Sequence, residues 1–214
     1  MRKKLLIVGL AFVVLGFSAL GFYRVVFLHF VRIPSGSMAN TILPGDHLVV
    51  QKRAYGDINR GDLIVFRFAG DPSTYYLARV VGLPNETLEL RGRTLYIDGK
   101  QVMEQRVTVN RDELPESDHL DEISTEGTGS YRVFYQFNVD STPQDDPSRG
   151  PFRIPENSYF VMGDNRDNSQ DSRYRGAVPK ELIFGKPFMI YWSAKPDRGG
   201  DEQVRWDRVL TRVR

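Results

Sequence analysis

The chain has 214 residues, a formal net charge of +2, 19 glycines, 12 prolines and no cysteine. This length can bury the core of one sizeable domain, while the lack of cysteine excludes disulfides, thiolate metal sites and thiol catalysis. The small net charge gives no reason to expect a nucleic-acid partner. The histidines, His29, His47 and His119, show no metal-ligand spacing. No metal or organic cofactor is expected.

The first predicted element is a transmembrane helix over residues 5–23. This stretch carries no charged residue. At about 1.5 Å per residue such a helix covers roughly 28 Å, close to the thickness of a hydrocarbon core. Arg2, Lys3 and Lys4 precede the stretch, so the positive-inside rule places residues 1–4 in the cytoplasm and the domain after residue 24 outside the membrane.

The alternative for this stretch is a signal peptide that is removed, with Gly16-Phe17-Ser18 as its small-residue exit. Signal peptides have a shorter apolar region, of roughly 7 to 15 residues. Here the apolar character continues through Val25-Val26-Phe27-Leu28. The pattern therefore favours a retained, single-pass span.

After residue 45 the hydrophobic pattern alternates with a period of two, which is typical of strands. Strands are predicted over 47–51, 62–68, 75–81, 94–97 and 158–162. Pro44-Gly45-Asp46 and Asp98-Gly99 predict tight turns, and no window outside the predicted span sustains an amphipathic helix. The predicted fold is mostly β, with a single N-terminal transmembrane helix.

Residues 104–153 differ from their surroundings in composition. They are first acidic and then rich in glycine and proline. This change predicts an inserted β subdomain with exposed loops, which divides the main domain into 24–103 and 154–214. The acidic run is interpreted as a solvated face rather than a binding patch.

Two polar segments stand out within this apolar alternation. Pro34-Ser35-Gly36-Ser37-Met38 follows the predicted span closely and offers hydroxyl nucleophiles where lipid meets water. The segment 163–176 contains no aliphatic side chain and directly follows an apolar strand. Its polar groups would be costly to bury unless they satisfy one another. Taken alone, this segment also fits a surface turn with Asx hydrogen bonds.

Together these segments resemble bacterial type I signal peptidase. The matching segments, in chain order, are Pro34-Ser35-Gly36-Ser37-Met38, Pro44-Gly45-Asp46, Lys52-Arg53-Ala54-Tyr55-Gly56, Arg79-Val80-Val81-Gly82-Leu83-Pro84, Gly163-Asp164-Asn165-Arg166-Asp167-Asn168-Ser169 and Asp171-Ser172-Arg173. The resemblance runs from the predicted span to residues 204–208. It implies a β-rich catalytic domain behind a membrane anchor.

The resemblance also implies roles for individual residues. Ser37 would be the nucleophile, and the Ser35 hydroxyl would form the oxyanion hole together with the Ser37 N–H. Ser169 would orient the general base. Asp171 and Arg173 would form a supporting ion pair, with Arg79 and Asp164 in the same polar network. The pockets that select small side chains would be shaped by Ile33, Pro34, Tyr76 and Leu77.

The implied reaction is the removal of signal peptides from exported preproteins after a small residue. The implied partners are those signal peptides and the lipid bilayer, at the bacterial cytoplasmic membrane, and the protein is expected to be a monomer. The apolar surface formed by residues 25–33 and Met38 is expected to dip into the bilayer.

One residue departs from the family pattern. The residue before the arginine of the Arg79-Val80-Val81-Gly82 segment is a lysine in the family, where it serves as general base, but here it is Ala78. Serine needs a base to become a good nucleophile, and alanine has no proton-accepting group. Arg79 effectively never deprotonates, while Lys52 is interpreted as a solvated charge at a strand end and His47 as a surface residue. No substitute base is evident.

Two explanations for Ala78 stay open: a Lys-to-Ala change introduced to disarm the enzyme, or a natural member that has lost or relocated its base. Either one predicts slow or absent cleavage. Two other classes of function also stay open. One is a membrane-tethered binding or assembly protein that keeps the groove without turnover, and the other is a purely structural exported β domain.

Overall fold

The computed structural model describes residues 27–52, 58–109, 122–126, 129–136, 149–195 and 203–213. Within these ranges the chain is mostly β, which confirms the predicted fold class. The predicted span at 5–23 lies outside the described residues. No helix in the described ranges is long and apolar enough to cross a membrane.

The described elements follow the chain as a series of short strands. They are β1 (Leu28–Arg32), β2 (Asp46–Lys52), β3 (Leu63–Phe68), β4 (Asp71–Gly82), β5 (Thr87–Arg91), β6 (Thr94–Ile97), β7 (Lys100–Gln101), β8 (Gln105–Val109), β9 (Glu122–Glu126), β10 (Arg132–Gln136), β11 (Arg149–Arg153), β12 (Ser158–Met162), β13 (Val178–Pro179), β14 (Ile183–Ser193) and β15 (Thr211–Arg212). Besides Phe27, which is helical, the described helical segments are α1 (Ser172–Arg175) and the 3₁₀ turns Arg166–Asn168 and Lys180–Leu182.

The largest sheet among the described strands has the order β1-β2-β14-β3-β4-β12-β13, with β15 paired to β14. β4 runs antiparallel to β3, with Ile64 opposite Ala78 and Leu63 opposite Arg79. Side chains alternate between the faces of a strand, so Ala78 and Arg79 point in opposite directions. Ala78 packs in the core cluster that includes Ile64, while the Arg79 side chain bonds Asp164 on the other face.

Two smaller sheets lie beside the large one. β5, β6, β7 and β11 form an antiparallel sheet, in which β11 pairs with β5. β8, β9 and β10 form the other sheet, in which β10 runs parallel to β8. The middle of β10 touches the polar segment at 163–171, because the Phe134 N–H donates to the Asp164 carbonyl at 2.7 Å. The sheet formed by β8, β9 and β10 therefore supports this polar segment.

The two predicted turns are present. Asp98 and Gly99 both have positive φ, 48° and 75°, as a two-residue hairpin turn requires. Gly45 has φ 87°, and an added Cβ would lie 1.9 Å from the Ala194 carbonyl oxygen. Only glycine fits this position.

Candidate active site

A cavity of about 350 Å³ collects most of the residues that the sequence singled out. We call it the groove. Its lining includes Ile33, Pro34, Ser35, Ser37, Tyr76, Leu77, Ala78, Ser169 and Asp171. These residues come from the segment after β1, from β4 and from the loop after β12. The folded chain thus brings residues from three distant segments to one surface.

The serine segment, residues 34–38, lines the groove. The hydroxyl oxygens of Ser35 and Ser37 are 3.4 Å apart. A tight turn follows, in which the Ala39 N–H donates to the Gly36 carbonyl at 3.0 Å. Met38 is 1% exposed and anchors this turn in the core. Its expected insertion into the bilayer is therefore wrong, because its side chain packs inward, and Ile33 is buried as well.

Ala78 lines the groove from β4 and is 3% exposed. Its neighbours in the core cluster are apolar, including Ile64, Val80 and Val161. A lysine at such a position loses hydration, and desolvation lowers the pKa of an ammonium group. The position thus has the environment that a lysine base needs, but it holds only a methyl group.

No lysine or histidine is found among the described residues that line the groove. His47 instead lies against Tyr191, with its Nδ1 3.3 Å from the hydroxyl oxygen. The Asp171 carboxylate borders the groove, but Arg173 and the Gly163 N–H already bind it. Both of its oxygens therefore already accept hydrogen bonds from Arg173 and from the Gly163 N–H.

Ser169 lies close to the backbone of the serine segment because Gly163 leaves room between them. A Cβ added at Gly163 would lie 2.4 Å from the Ser169 Oγ and 2.6 Å from the Ser37 carbonyl oxygen. Contacts this short do not occur in proteins, so any larger residue would push the two serines apart. Glycine at this position is a packing requirement of the site.

Arg79 and Asp164 form a buried ion pair behind the groove. The Arg79 Nε donates to Asp164 Oδ1 at 2.8 Å and Nη2 donates to Oδ2 at 2.6 Å. The Thr41 hydroxyl donates to the same carboxylate at 2.7 Å. The two side chains are 4% and 0% exposed, so they are desolvated and depend on each other.

Asp171 and Arg173 form a second pair at the start of α1. The Arg173 Nε and Nη2 each donate to the carboxylate at 2.8 Å. The same carboxylate accepts the Gly163 N–H at 2.9 Å and caps the helix by accepting the Arg173 N–H at 3.2 Å. This pair therefore holds both ends of the loop that carries Ser169.

A third pair, Glu104 with Arg166, was missed by the sequence reasoning. The Arg166 Nη1 donates to Glu104 Oε2 at 3.0 Å, and Nη2 donates to Oε1. Tyr131 also donates to Glu104, and Tyr135 accepts from Arg166. Burial raises the pKa of Tyr135. We call Arg79, Glu104, Asp164, Arg166, Asp171 and Arg173 the loop cluster.

Tyr76 is held at the rim of the groove by polar contacts. Its hydroxyl donates to the Asp71 carboxylate at 2.8 Å and accepts from Arg175 Nη1 at 2.9 Å. The bond to Asp71 raises the pKa of Tyr76, and the bond from Tyr76 lowers the pKa of Asp71. The ring is thereby fixed along the groove wall.

A separate group of polar residues lies around Asp46, which is fully buried. Its carboxylate accepts from the Ser193 hydroxyl at 2.6 Å and from Arg208 Nη2 at 2.6 Å. Arg205 Nε donates to the Ser193 hydroxyl at 2.8 Å. We call Asp46, Ser193, Arg205 and Arg208 the C-terminal cluster. The sequence placed Asp46 in a turn and in a segment that matches the family, but it predicted no role for the side chain.

Comparison with known proteins gives the family. The signal peptidase family, peptidase S26, matches residues 4–192. The chain is 35% identical to signal peptidase I of Pseudomonas aeruginosa, over 83% of this chain and 69% of that protein. It is 33% identical to signal peptidase I of Aquifex aeolicus, over 91% of this chain and 86% of that protein. The match to signal peptidase I of Pseudomonas fluorescens, at 34% identity, spans 64% of the relative's length.

The chain therefore belongs to the signal peptidase family, peptidase S26. This confirms the family that the motifs indicated. A solved signal peptidase I from Enterococcus faecalis V583 is 27% identical and covers 61% of this chain and 97% of that chain, with a TM-score of 0.36. The roles of individual residues and the correspondence at Ala78 stay predictions.

Proposed function

We propose that this chain is a signal peptidase I whose catalytic base is missing. The observation that supports this proposal most strongly is the lining of the groove. It contains the paired hydroxyls of Ser35 and Ser37, the buried residue 78 and Ser169. A nucleophile, a neighbouring hydroxyl donor and a desolvated position for a base are the parts that acyl transfer by serine needs.

In an enzyme with a lysine base at position 78, the Ser37 Oγ attacks the substrate carbonyl carbon and its proton passes to that base. The new C–O bond forms as the carbonyl π pair moves onto oxygen, where the Ser35 hydroxyl and the Ser37 N–H stabilise the oxyanion. When the oxyanion collapses, the C–N bond breaks and the leaving amine takes the proton from the base. Water then hydrolyses the ester through the same base.

The proposed substrate is the end of a signal peptide with small side chains before the cleaved bond. The wall formed by Ile33, Tyr76 and Leu77 is largely apolar. The contacts that fix Tyr76 leave little freedom to admit a bulky side chain. Selection by exclusion lets one enzyme accept many sequences that share only small residues.

The proposed location is the bacterial cytoplasmic membrane, with residues 5–23 as a single span and the β domain outside as a monomer. Phe27 and Phe30, directly after the predicted span, are each 41% exposed. Exposed aromatic rings beside an anchor favour contact with the lipid surface, which would bring the groove close to emerging signal peptides.

The chain as it stands is proposed to turn over slowly or not at all. A methyl group at position 78 cannot accept the Ser37 proton, and loss of one member of a catalytic unit costs about 10⁴ to 10⁶ in rate. The described residues of the groove offer no lysine or histidine in its place.

The test compares the full chain in detergent with its Ala78→Lys and Ala78→Met variants, using a preprotein substrate. Methionine has nearly the length of lysine but accepts no proton, so it controls for filling the space. We expect cleavage by Ala78→Lys alone, with product masses that place the cut after a small residue, and loss of that cleavage on adding Ser37→Ala. No cleavage by Ala78→Lys, or equal cleavage by the original chain, would overturn the proposal.

The second candidate is a membrane-tethered binding or assembly protein. It is favoured by the combination of an intact groove with a residue 78 that cannot act as a base. This candidate predicts that Ala78→Lys binds signal peptides but does not cut them. Equilibrium binding measured beside the cleavage assay separates the two functions.

A further inference from the structure

The peptide group between Gly36 and Ser37 is held by two hydrogen bonds to its carbonyl oxygen. The Ala39 N–H donates to it at 3.0 Å from within the turn. The Asn165 Nδ2 donates to it at 3.0 Å from the opposite loop. This peptide carries the Ser37 N–H, which is one of the two donors of the proposed oxyanion hole.

The orientation of the carbonyl fixes the orientation of the N–H. The peptide is trans, because the cis bond among the described residues is Gly150-Pro151. In a planar trans peptide the C=O and N–H bonds point in opposite directions. Drawing the Gly36 carbonyl toward the Asn165 side chain therefore turns the Ser37 N–H away from that side chain.

Asn165 is itself held rigidly. It is 0% exposed, and its own N–H donates to the Ser37 carbonyl at 3.1 Å. It also forms a parallel β-bridge with Phe134 of β10. Asn165 thus binds the peptide groups on both sides of Ser37. Its side chain donates to the Gly36 carbonyl, and its backbone N–H donates to the Ser37 carbonyl.

The side-chain oxygen of Asn165 offers a further indication. Asn165 Oδ1 is buried and has no hydrogen-bond partner within the described part of the chain. An unpartnered buried acceptor is unfavourable, so such groups in folded proteins call for an explanation. Packing alone would be served better by an apolar side chain, whereas the Nδ2 donor has a defined partner beside the nucleophile.

We propose that Asn165 is a positioning residue that aims the Ser37 N–H into the oxyanion hole. It acts through the Gly36 carbonyl and touches no substrate atom. Its hydrogen bond also polarises the peptide and strengthens the N–H as a donor. The inference rests on the proposed function, in which negative charge develops on the substrate oxygen as the Ser37 Oγ attacks.

The test uses Asn165→Ala in the full chain that also carries Ala78→Lys. The Asn165 N–H and its bond to the Ser37 carbonyl survive this substitution, so it isolates the side-chain donor. We expect kcat to fall about 10- to 100-fold, as for a misaligned oxyanion donor, with KM changed by less than about threefold. Affinity for a peptide aldehyde, which forms an oxyanion with serine, should fall by a similar factor. Affinity for the matched peptide with a reduced, uncleavable bond should stay constant.

Asn165→Asp preserves the shape of the side chain but directs an acceptor at the Gly36 carbonyl. If positioning is the role, Asn165→Asp is at least as slow as Asn165→Ala. A packing role predicts the reverse order, with the aspartate close to the parent, and that result would overturn the inference. Should the buried carboxylate prevent folding, the split between kcat and KM in Asn165→Ala decides the question.

Asn157→Asp is the matched control, since Asn157 is exposed and lies outside the groove. Its kinetics should equal those of the parent. Unchanged kcat in Asn165→Ala would contradict the positioning role while leaving the proposed function intact. An inactive Ala78→Lys parent would instead contradict the proposed function, so the two failures are distinguishable.

Discussion

The loop cluster and the C-terminal cluster use the same chemistry in different places. Each buries carboxylates against arginine guanidinium groups with short hydrogen bonds. The loop cluster holds the segment that carries Asn165 and Ser169 against the groove. The C-terminal cluster ties the segment at 203–213 to the turn at Asp46, and its residues do not line the groove.

Because of this difference, substitutions in the two clusters should have different effects on activity, although both should affect stability. Removing one partner of a buried ion pair leaves an uncompensated charge and is destabilising wherever the pair lies. Only the loop cluster also sets the geometry of residues that face the groove. Substitutions in both clusters should therefore lower stability, while those in the loop cluster should also lower the turnover of the molecules that remain folded. In these predictions, turnover is measured in variants that also carry Ala78→Lys.

The largest effect is expected for Asp164→Asn. It leaves Arg79 buried beside a neutral amide and weakens the bond from Thr41, so we expect a loss of about 3 to 5 kcal/mol in the free energy of unfolding. Urea unfolding measures this loss. Turnover per folded molecule should also fall at least about tenfold, because the loop shifts relative to Ser37. If the folded fraction of Asp164→Asn kept full turnover, the proposed difference between the two clusters would be wrong.

Glu104→Gln should cost a similar amount of stability, since Arg166 is as deeply buried as Arg79. The double variant Glu104→Leu with Arg166→Met removes both charges and replaces them with apolar groups. We expect it to recover most of the unfolding free energy, because buried pairs are often replaceable in this way. Turnover should not recover, since the Arg166 carbonyl that Arg173 binds would lose its support. Recovery of both quantities would show that the pair supports stability alone.

Arg208→Gln should have a moderate effect on stability. Arg208 is partly exposed and donates to the Asp46 carboxylate and to the Thr41 carbonyl. Losing charged hydrogen bonds of this kind costs about 1.5 to 3 kcal/mol. Turnover per folded molecule should match the parent in a preprotein assay. A loss of turnover as large as that of Asp164→Asn would contradict the separation of the two clusters.

The smallest effect is expected for Tyr76→Phe at the groove rim. The contact of the hydroxyl with Arg175 is exposed and the one with Asp71 is partly buried, so peptide affinity should weaken less than about tenfold. The hydrogen bond from Tyr76 lowers the pKa of Asp71 in the folded protein. The stability that this bond contributes is therefore present above the ordinary aspartate pKa, and it is lost as pH falls through the lowered value. The difference in peptide affinity between the parent and Tyr76→Phe should therefore disappear in acid. A difference that grows as pH falls would be the opposite of this expectation.

The sheets were predictable because alternation with a period of two is a local signal. The strands around residues 47–51, 62–68 and 158–162 appear close to their predicted limits. The opposite orientation of Ala78 and Arg79 follows from the same pleat. Both glycine turns were also predictable, since their backbone angles leave few other residues possible.

The missed contacts are those that join distant segments. Glu104 and Arg166 are 62 residues apart, and neither has a local pattern that marks it as a partner. Asp46 looked like a turn residue because its buried arginine contacts come from the other end of the chain. Met38 was assigned to the membrane from the resemblance and from the apolar residues near it, and apolar character does not distinguish a lipid-facing side chain from one packed in the core.

The central claim is that the groove belongs to a peptidase whose base is absent at position 78. Its most direct test is the rate of preprotein cleavage by the original chain and by Ala78→Lys, measured side by side across pH. We predict a negligible rate for the original chain at every pH. For Ala78→Lys we predict a rate that rises with pH through a lysine pKa lowered by burial. Equal rates for the two chains, with the same pH profile, would contradict the claim.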